Sequence, residues 1–108
     1  MPKVKSTVHA GVCGFVTEII ADSEDMQNVT FVVESPCAKV QAAAAALGQV
    51  DAYRELGAGF EGDVYSAFKG SSPGCCSGCV VSSAVLKAMQ IAASLALPAD
   101  VSLTFEKL

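Results

Sequence analysis

Positive charge is scarce in this sequence, and the scarcity decides much of what the chain does not bind. Seven lysines and arginines stand against eleven acids, a formal net charge of −4, with Arg54 the one arginine and His9 the one histidine. Nucleic-acid binding needs a clustered basic surface that displaces counterions from phosphates, so nucleic acid is not an expected partner. Long apolar runs are missing too. The longest candidate, Ile91 to Leu97, falls well short of the ~20 apolar residues of a membrane helix. The N-terminal Met1-Pro2-Lys3-Val4-Lys5-Ser6-Thr7-Val8 alternates and lacks the apolar core of a signal peptide. A cytoplasmic location without membrane contact is therefore expected. Thiols stay reduced there, so five cysteines, an odd number, do not read as a disulfide framework.

What is present is apolar and small. Hydrophobic residues make up 52% of the 108 and charged ones 17%, which argues against disorder and for a single domain over residues 1–108 with a tight, alanine- and valine-rich core. The first third reads as strands. Val4, Ser6, Val8 and Ala10 face one way, and Lys3, Lys5, Thr7 and His9 the other. Phe15 to Ala21 and the β-branched stretch Asn28 to Glu34 follow, separated by a polar turn from Asp22 to Gln27. These three make an antiparallel meander.

Helical spacing then takes over. Ser35-Pro36 suits a helix start, Val40, Ala43, Ala44 and Leu47 recur at helical spacing, and Gly48 ends the run. A short helix fits Gln49 to Leu56, and Phe60 to Lys69 is read as a third. The last helix sets Ser83, Lys87, Gln90 and Ser94 on a polar stripe opposite Val85, Met89, Ala92 and Ala96, and Pro98 stops it. Val101, Leu103 and Phe105 alternate with Ser102, Thr104 and Glu106, the pattern of a final strand. The expected fold is α+β: a three-stranded antiparallel meander, two to three helices on one face, and a final strand joining the sheet, parallel to its neighbour.

Strand direction gives the cysteines meaning. Cys13 lies in the turn after the first strand and Cys37 just after the third, so both belong at one end of the sheet. Two helices running down and back would return the chain to that end near Cys75, Cys76 and Cys79. Cys76-Ser77-Gly78-Cys79 has a spacing that can chelate one metal or close a small redox disulfide. Cys37 and Cys79 sit at helix starts, where backbone N–H groups and the helix dipole favour a sulfur anion. Gly11, Gly14, Gly74 and Gly78 flank the thiols and let backbone donors approach sulfur. Against this stands the plainer reading of cysteine as a small buried hydrophobe, which fits Cys75 best, since it adjoins Cys76 and cannot easily share its geometry.

Other candidates carry less. Gly57-Ala58-Gly59-Phe60-Glu61-Gly62 has the letters of a dinucleotide-binding turn but follows a helix rather than a strand, and Glu61 would oppose a pyrophosphate. His9 lies on the polar face of its strand, and no nucleophile elbow accompanies it. Glu24 and Asp25 belong to a solvated turn.

The segment Cys76-Ser77-Gly78-Cys79, with Ser82 and Leu86-Lys87-Ala88, is similar to the cysteine motif of the NifU-like C-terminal domain, a family that holds an iron–sulfur cluster across a dimer. Val80 stands where that family has proline. Over its length, through Cys13-Gly14-Phe15, Glu34-Ser35-Pro36-Cys37, Cys76 to Cys79, Leu86-Lys87-Ala88 and Ala96-Leu97-Pro98, the chain resembles a family of small uncharacterised proteins from anaerobic prokaryotes. That resemblance implies a shared fold and cysteine set and no activity. Three functions stay open: a metal-binding domain holding an iron–sulfur cluster or zinc through Cys13, Cys37, Cys76 and Cys79; a thiol–disulfide protein using Cys76 and Cys79; and a binding module whose cysteines pack. A protein partner or a second copy of the chain fits any of the three.

Overall fold

The computed structural model describes residues 3–70 and 78–108. Strand β1 (Lys3–His9), β2 (Val16–Asp22) and β3 (Asn28–Glu34) form the antiparallel meander, with Lys5 opposite Ile20 and Ile20 opposite Val32. Alternation sorts the two faces as expected. Val8, Thr17, Ile19, Ala21 and Val29 are buried on the inner face, whereas Lys3, Lys5, Thr7 and His9 are exposed on the outer one.

After β3 come α1 (Ala38–Ala46), β4 (Val50–Asp51), α2 (Ala52–Ala58), a 3-10 turn (Gly59–Glu61), α3 (Asp63–Lys69) and α4 (Val81–Ala92). The sheet order is β1-β2-β3-β4. Helix α4 packs on β1 and β2, α1 on β3, and α3 lies between α1 and α4. The α+β class is as the sequence implied, and two details are corrected. The fourth strand is the two-residue β4, antiparallel to the start of β3 through Val29 and Val50. The C-terminal segment that was expected to be that strand has no regular structure from Leu97 onward. The described residues also hold four α-helices where two or three were expected. None is long and apolar enough to cross a membrane.

The stop of α4 explains part of the difference. The helix ends before Pro98 is reached, through a Schellman closure. Ser94 takes a left-handed φ of 62°, its N–H donates to Ile91 O at 3.0 Å, and the Leu95 N–H donates to Gln90 O at 2.8 Å. Leu95 then packs against the core, the hydrophobic contact that accompanies this motif.

The glycine-rich stretch has a structural role of its own. Glu55, only 3% exposed, is a remote cap for α3. Its carboxylate accepts from the Asp63 N–H at 2.7 Å and from the Val64 N–H at 2.8 Å, two donors that the first turn of a helix leaves without intrahelical partners. The chain must come close to do this. A Cβ on Gly62 would stand 2.7 Å from Glu55 Oε2. Gly59, at φ 58°, closes α2 in a conformation that side chains resist.

Two measurements test this architecture. Glu55→Ala is expected to cost about 2–4 kcal/mol by orphaning two amides, and Gly62→Ala about 1–3 kcal/mol by crowding the pinned carboxylate. Denaturant melts of the double variant should show clear non-additivity, because the Gly62 clash disappears with the carboxylate. At the β2–β3 turn, Asn28 (through its N–H and its side-chain amide) and the Gln27 N–H hold the Asp25 carboxyl down from 3.8 to about 2. The stabilising bonds are thus fully present above the usual carboxylate range and lost as pH falls through about 2. In an NMR titration the Gln27 and Asn28 amides should report that low midpoint and none near 3.8.

Candidate thiol site

The described cysteines are Cys13, Cys37 and Cys79, all free thiols. Cys75 and Cys76 lie outside the described residues. Cys13 occupies the tip between β1 and β2, in a tight turn closed by the Gly14 N–H donating to Gly11 O at 2.8 Å. Gly11 and Gly14 both have left-handed φ values, 89° and 71°, so this turn needs glycine at those positions. The tip leaves Cys13 and Val12 exposed.

Cys37 is half-buried at the N-cap of α1. The register puts it at the same end of the sheet as Cys13, since β3 ends at Glu34 opposite Glu18, near the β1–β2 turn. A short network holds it there. The Thr17 hydroxyl, on a side chain 1% exposed, donates to Ser35 Oγ at 2.8 Å, and the Cys37 N–H donates to the same oxygen at 3.2 Å. Gln41 adds a side-chain bond to Ser35 O at 2.6 Å. Ser35 therefore holds the backbone of Cys37, the N-cap residue, rather than capping the first turn of α1 as its sequence position suggested.

Cys79 is half-buried just before α4. It and Cys37 lean on the same core cluster. Tyr65 Oη and Ser83 Oγ, 3.5 Å apart, join the first turns of α3 and α4.

The four helix starts divide into two kinds. Helix α2 is capped by Asp51, which accepts from the N–H groups of Tyr53 and Arg54, and α3 by Glu55. Helix α1 starts at Cys37 and α4 at Val80, directly after Cys79, and neither of these N-cap side chains makes a cap hydrogen bond.

Among the described residues, no three or more His, Cys, Asp or Glu side chains are grouped closely enough to hold a metal ion. Cys13, Cys37 and Cys79 are thus not already assembled as ligands. His9 is exposed on the outer face of β1, as its strand position implied. Two shallow hollows, about 370 and 330 Å³, are lined by Leu47, Asp63 and Ser66 and by Asp22, Asp25 and Thr30 among others, and none of the described cysteines borders either.

Sequence reasoning missed Glu55, whose carboxylate points inward to organise α3. Its signal was the glycine at 62, seven residues on, in the stretch read as a turn despite its dinucleotide-like letters.

The geometry around Cys37 predicts its reactivity. Ser35→Ala removes two bonds and is expected to cost about 1–3 kcal/mol and to speed alkylation of Cys37. Mass-resolved alkylation of the metal-free protein should modify Cys13 before Cys37 and Cys79, in keeping with its exposure.

A family model, described as a family of unknown function (DUF6951), matches residues 4–105. No curated protein and no solved structure matches the chain.

Proposed function

The chain belongs to DUF6951, a family of unknown function, and we propose from its own thiols that it is a small metal-binding protein. Cys13, Cys37, Cys76 and Cys79 are the ligands, and an iron–sulfur cluster or a zinc ion is the bound group. The observation that carries this reading is the placement of two cysteines at helix starts: Cys37 is the N-cap of α1 and Cys79 directly precedes the N-cap of α4, and neither N-cap side chain makes a cap hydrogen bond. A helix start offers backbone N–H groups and a positive dipole end to an anionic sulfur. The glycines at 11 and 14 support the same reading, because they give the Cys13 tip a backbone with little side-chain bulk. The local likeness of Cys76 to Cys79 to the NifU-like motif favours a cluster, with electron transfer, cluster delivery or sensing as its use. Zinc bound by four thiolates would be structural, with no open position for a substrate.

A second reading has its own support. The described thiols are not grouped as metal ligands, and a thiol–disulfide role needs only Cys76 and Cys79. In that case the more exposed thiol of the pair attacks a substrate disulfide, and the other resolves the mixed disulfide.

Purification without oxygen separates these readings. The metal reading expects stoichiometric iron with sulfide, or stoichiometric zinc. Metal should be lost in Cys37→Ser and Cys79→Ser and kept in Cys75→Ser. Chelation or mild acid should lower the Tm of the loaded protein, since protons compete with metal for sulfur. Metal-free protein with a reversible Cys76–Cys79 disulfide would establish the redox reading instead. Metal-free protein in which Cys37→Ser and Cys75→Ser cost equal stability would leave the cysteines as packing.

A further inference from the structure

The C-terminal segment is the largest anomaly in the molecule. Leu97, Val101, Leu103, Phe105 and Leu108 are 60–108% exposed, in a stretch without regular structure. Scattered exposed apolar residues need no explanation, but five within twelve positions do. Three of them, Val101, Leu103 and Phe105, alternate with Ser102, Thr104 and Glu106, which is the pattern of a strand with one face buried. The family match extends to residue 105, so these residues belong to the stretch that defines the family.

The sheet has a matching deficit. Strand β1 is the first in the order β1-β2-β3-β4 and has no neighbour along its outer edge among the described residues. That edge runs for seven residues, Lys3–His9, long enough for the whole alternating segment. An open edge with unpaired backbone groups is a template for another strand.

We propose that the segment Asp100 to Leu108 adds as a strand to the β1 edge of a second copy of this chain, reciprocally, so that two copies share two extended sheets. The occupant follows from the fit. An antiparallel register that puts Phe105 beside Val4, Leu103 beside Ser6 and Val101 beside Val8 brings the apolar side chains of the segment onto the inner face, next to β1 residues that already face inward. The same register sets Glu106 beside Lys3 and Asp100 beside His9. Lys5 already pairs with Glu18 at 2.9 Å, and the segment presents the neutral Thr104 there. In the parallel register the acids exchange partners, Asp100 to Lys3 and Glu106 to His9, so charge and facing match in both directions. The edge and the strand are carried by one chain, and that chain does not bring them together. A second copy supplies both in complementary form.

Sedimentation equilibrium and hydrogen exchange on the full chain test this. The expected result is a concentration-dependent dimer in which the amides of β1 and of residues 101–107 gain protection together. Leu103→Asp and Phe105→Asp should raise the dimer dissociation constant by about 100-fold through burial of a charge. Neither should change the circular dichroism or the Tm of dilute monomer, because both side chains are exposed in the single chain. A chain that stays monomeric at every concentration overturns the proposal, also where its C-terminal amides are protected, since that would mean docking on its own edge. A dimer that survives both substitutions overturns it too, and would point to another surface, such as the exposed Phe60 with its partner ring Tyr65.

Discussion

The contact on which the rest of the molecule depends is α4 laid against the inner face of β1 and β2. A sheet with one apolar face must bury that face against another element. Here Ile19 and Ala21 on that face, and Val81, Val85, Ala88, Met89 and Ala92 on the helix, are withdrawn from solvent. Burial of each larger aliphatic side chain contributes about 1.5–3 kcal/mol, and several such residues lie on this one surface. Small residues shape the approach: Ser6 and Ala21 on the strands and Ala84, Ala88 and Ala92 on the helix keep bulk out of the way. The remaining helices are then placed by what surrounds this pair. Helix α1 covers β3, and α3 fills the space between α1 and α4.

The elements within this contact were legible because their signals are local. Period-two alternation in Lys3 to Ala10 and the β-branched run Val29 to Val33 mark strands whatever lies around them, and the stripe Val85, Met89, Ala92 marks a helix face in the same way. The parts that eluded the sequence depend on distant partners. Val50 and Asp51 make a strand only because Val29 and Asn28 lie opposite, and no propensity can announce a two-residue strand. Val101 to Phe105 has a clear strand pattern, yet pattern states only which side chains would share a face and not which edge they meet. Ser94 ended α4 early through a left-handed turn of a kind usually given to glycine. Glu55 reads as an ordinary polar helix residue until Gly62 is seen beside it.

The cysteines show the same boundary. Strand direction correctly put Cys13 and Cys37 at one end of the sheet, because the meander register alone determines it. Whether thiols converge, by contrast, depends also on Cys75 and Cys76, which lie outside the described residues. Nearness at one end of a sheet is a weaker condition than ligand geometry, which must bring sulfurs within a few ångströms of one centre. Among the described residues only the weaker condition is met.

Two features then stand beside the well-partnered carboxylates of the described residues. The domain spends buried carboxylate chemistry on α3 and a capping aspartate on α2, and in the β2–β3 turn Asp25 accepts three hydrogen bonds from Gln27 and Asn28. A sequence that supplies such partners here could supply them elsewhere. Yet α1 begins at a cysteine, a side chain outside the group that caps helices well, and α4 begins directly after another, with no cap hydrogen bond from the N-cap side chain at either. Among the described residues the β1 edge is likewise open, while a strand-patterned segment is unpaired in the same chain. Helix starts beside sulfur suit an anionic thiolate, and backbone groups left unpaired along an edge suit a strand. The two features differ in chemistry, so they call for different partners, and each can take one without disturbing the core that α4 and the meander already close.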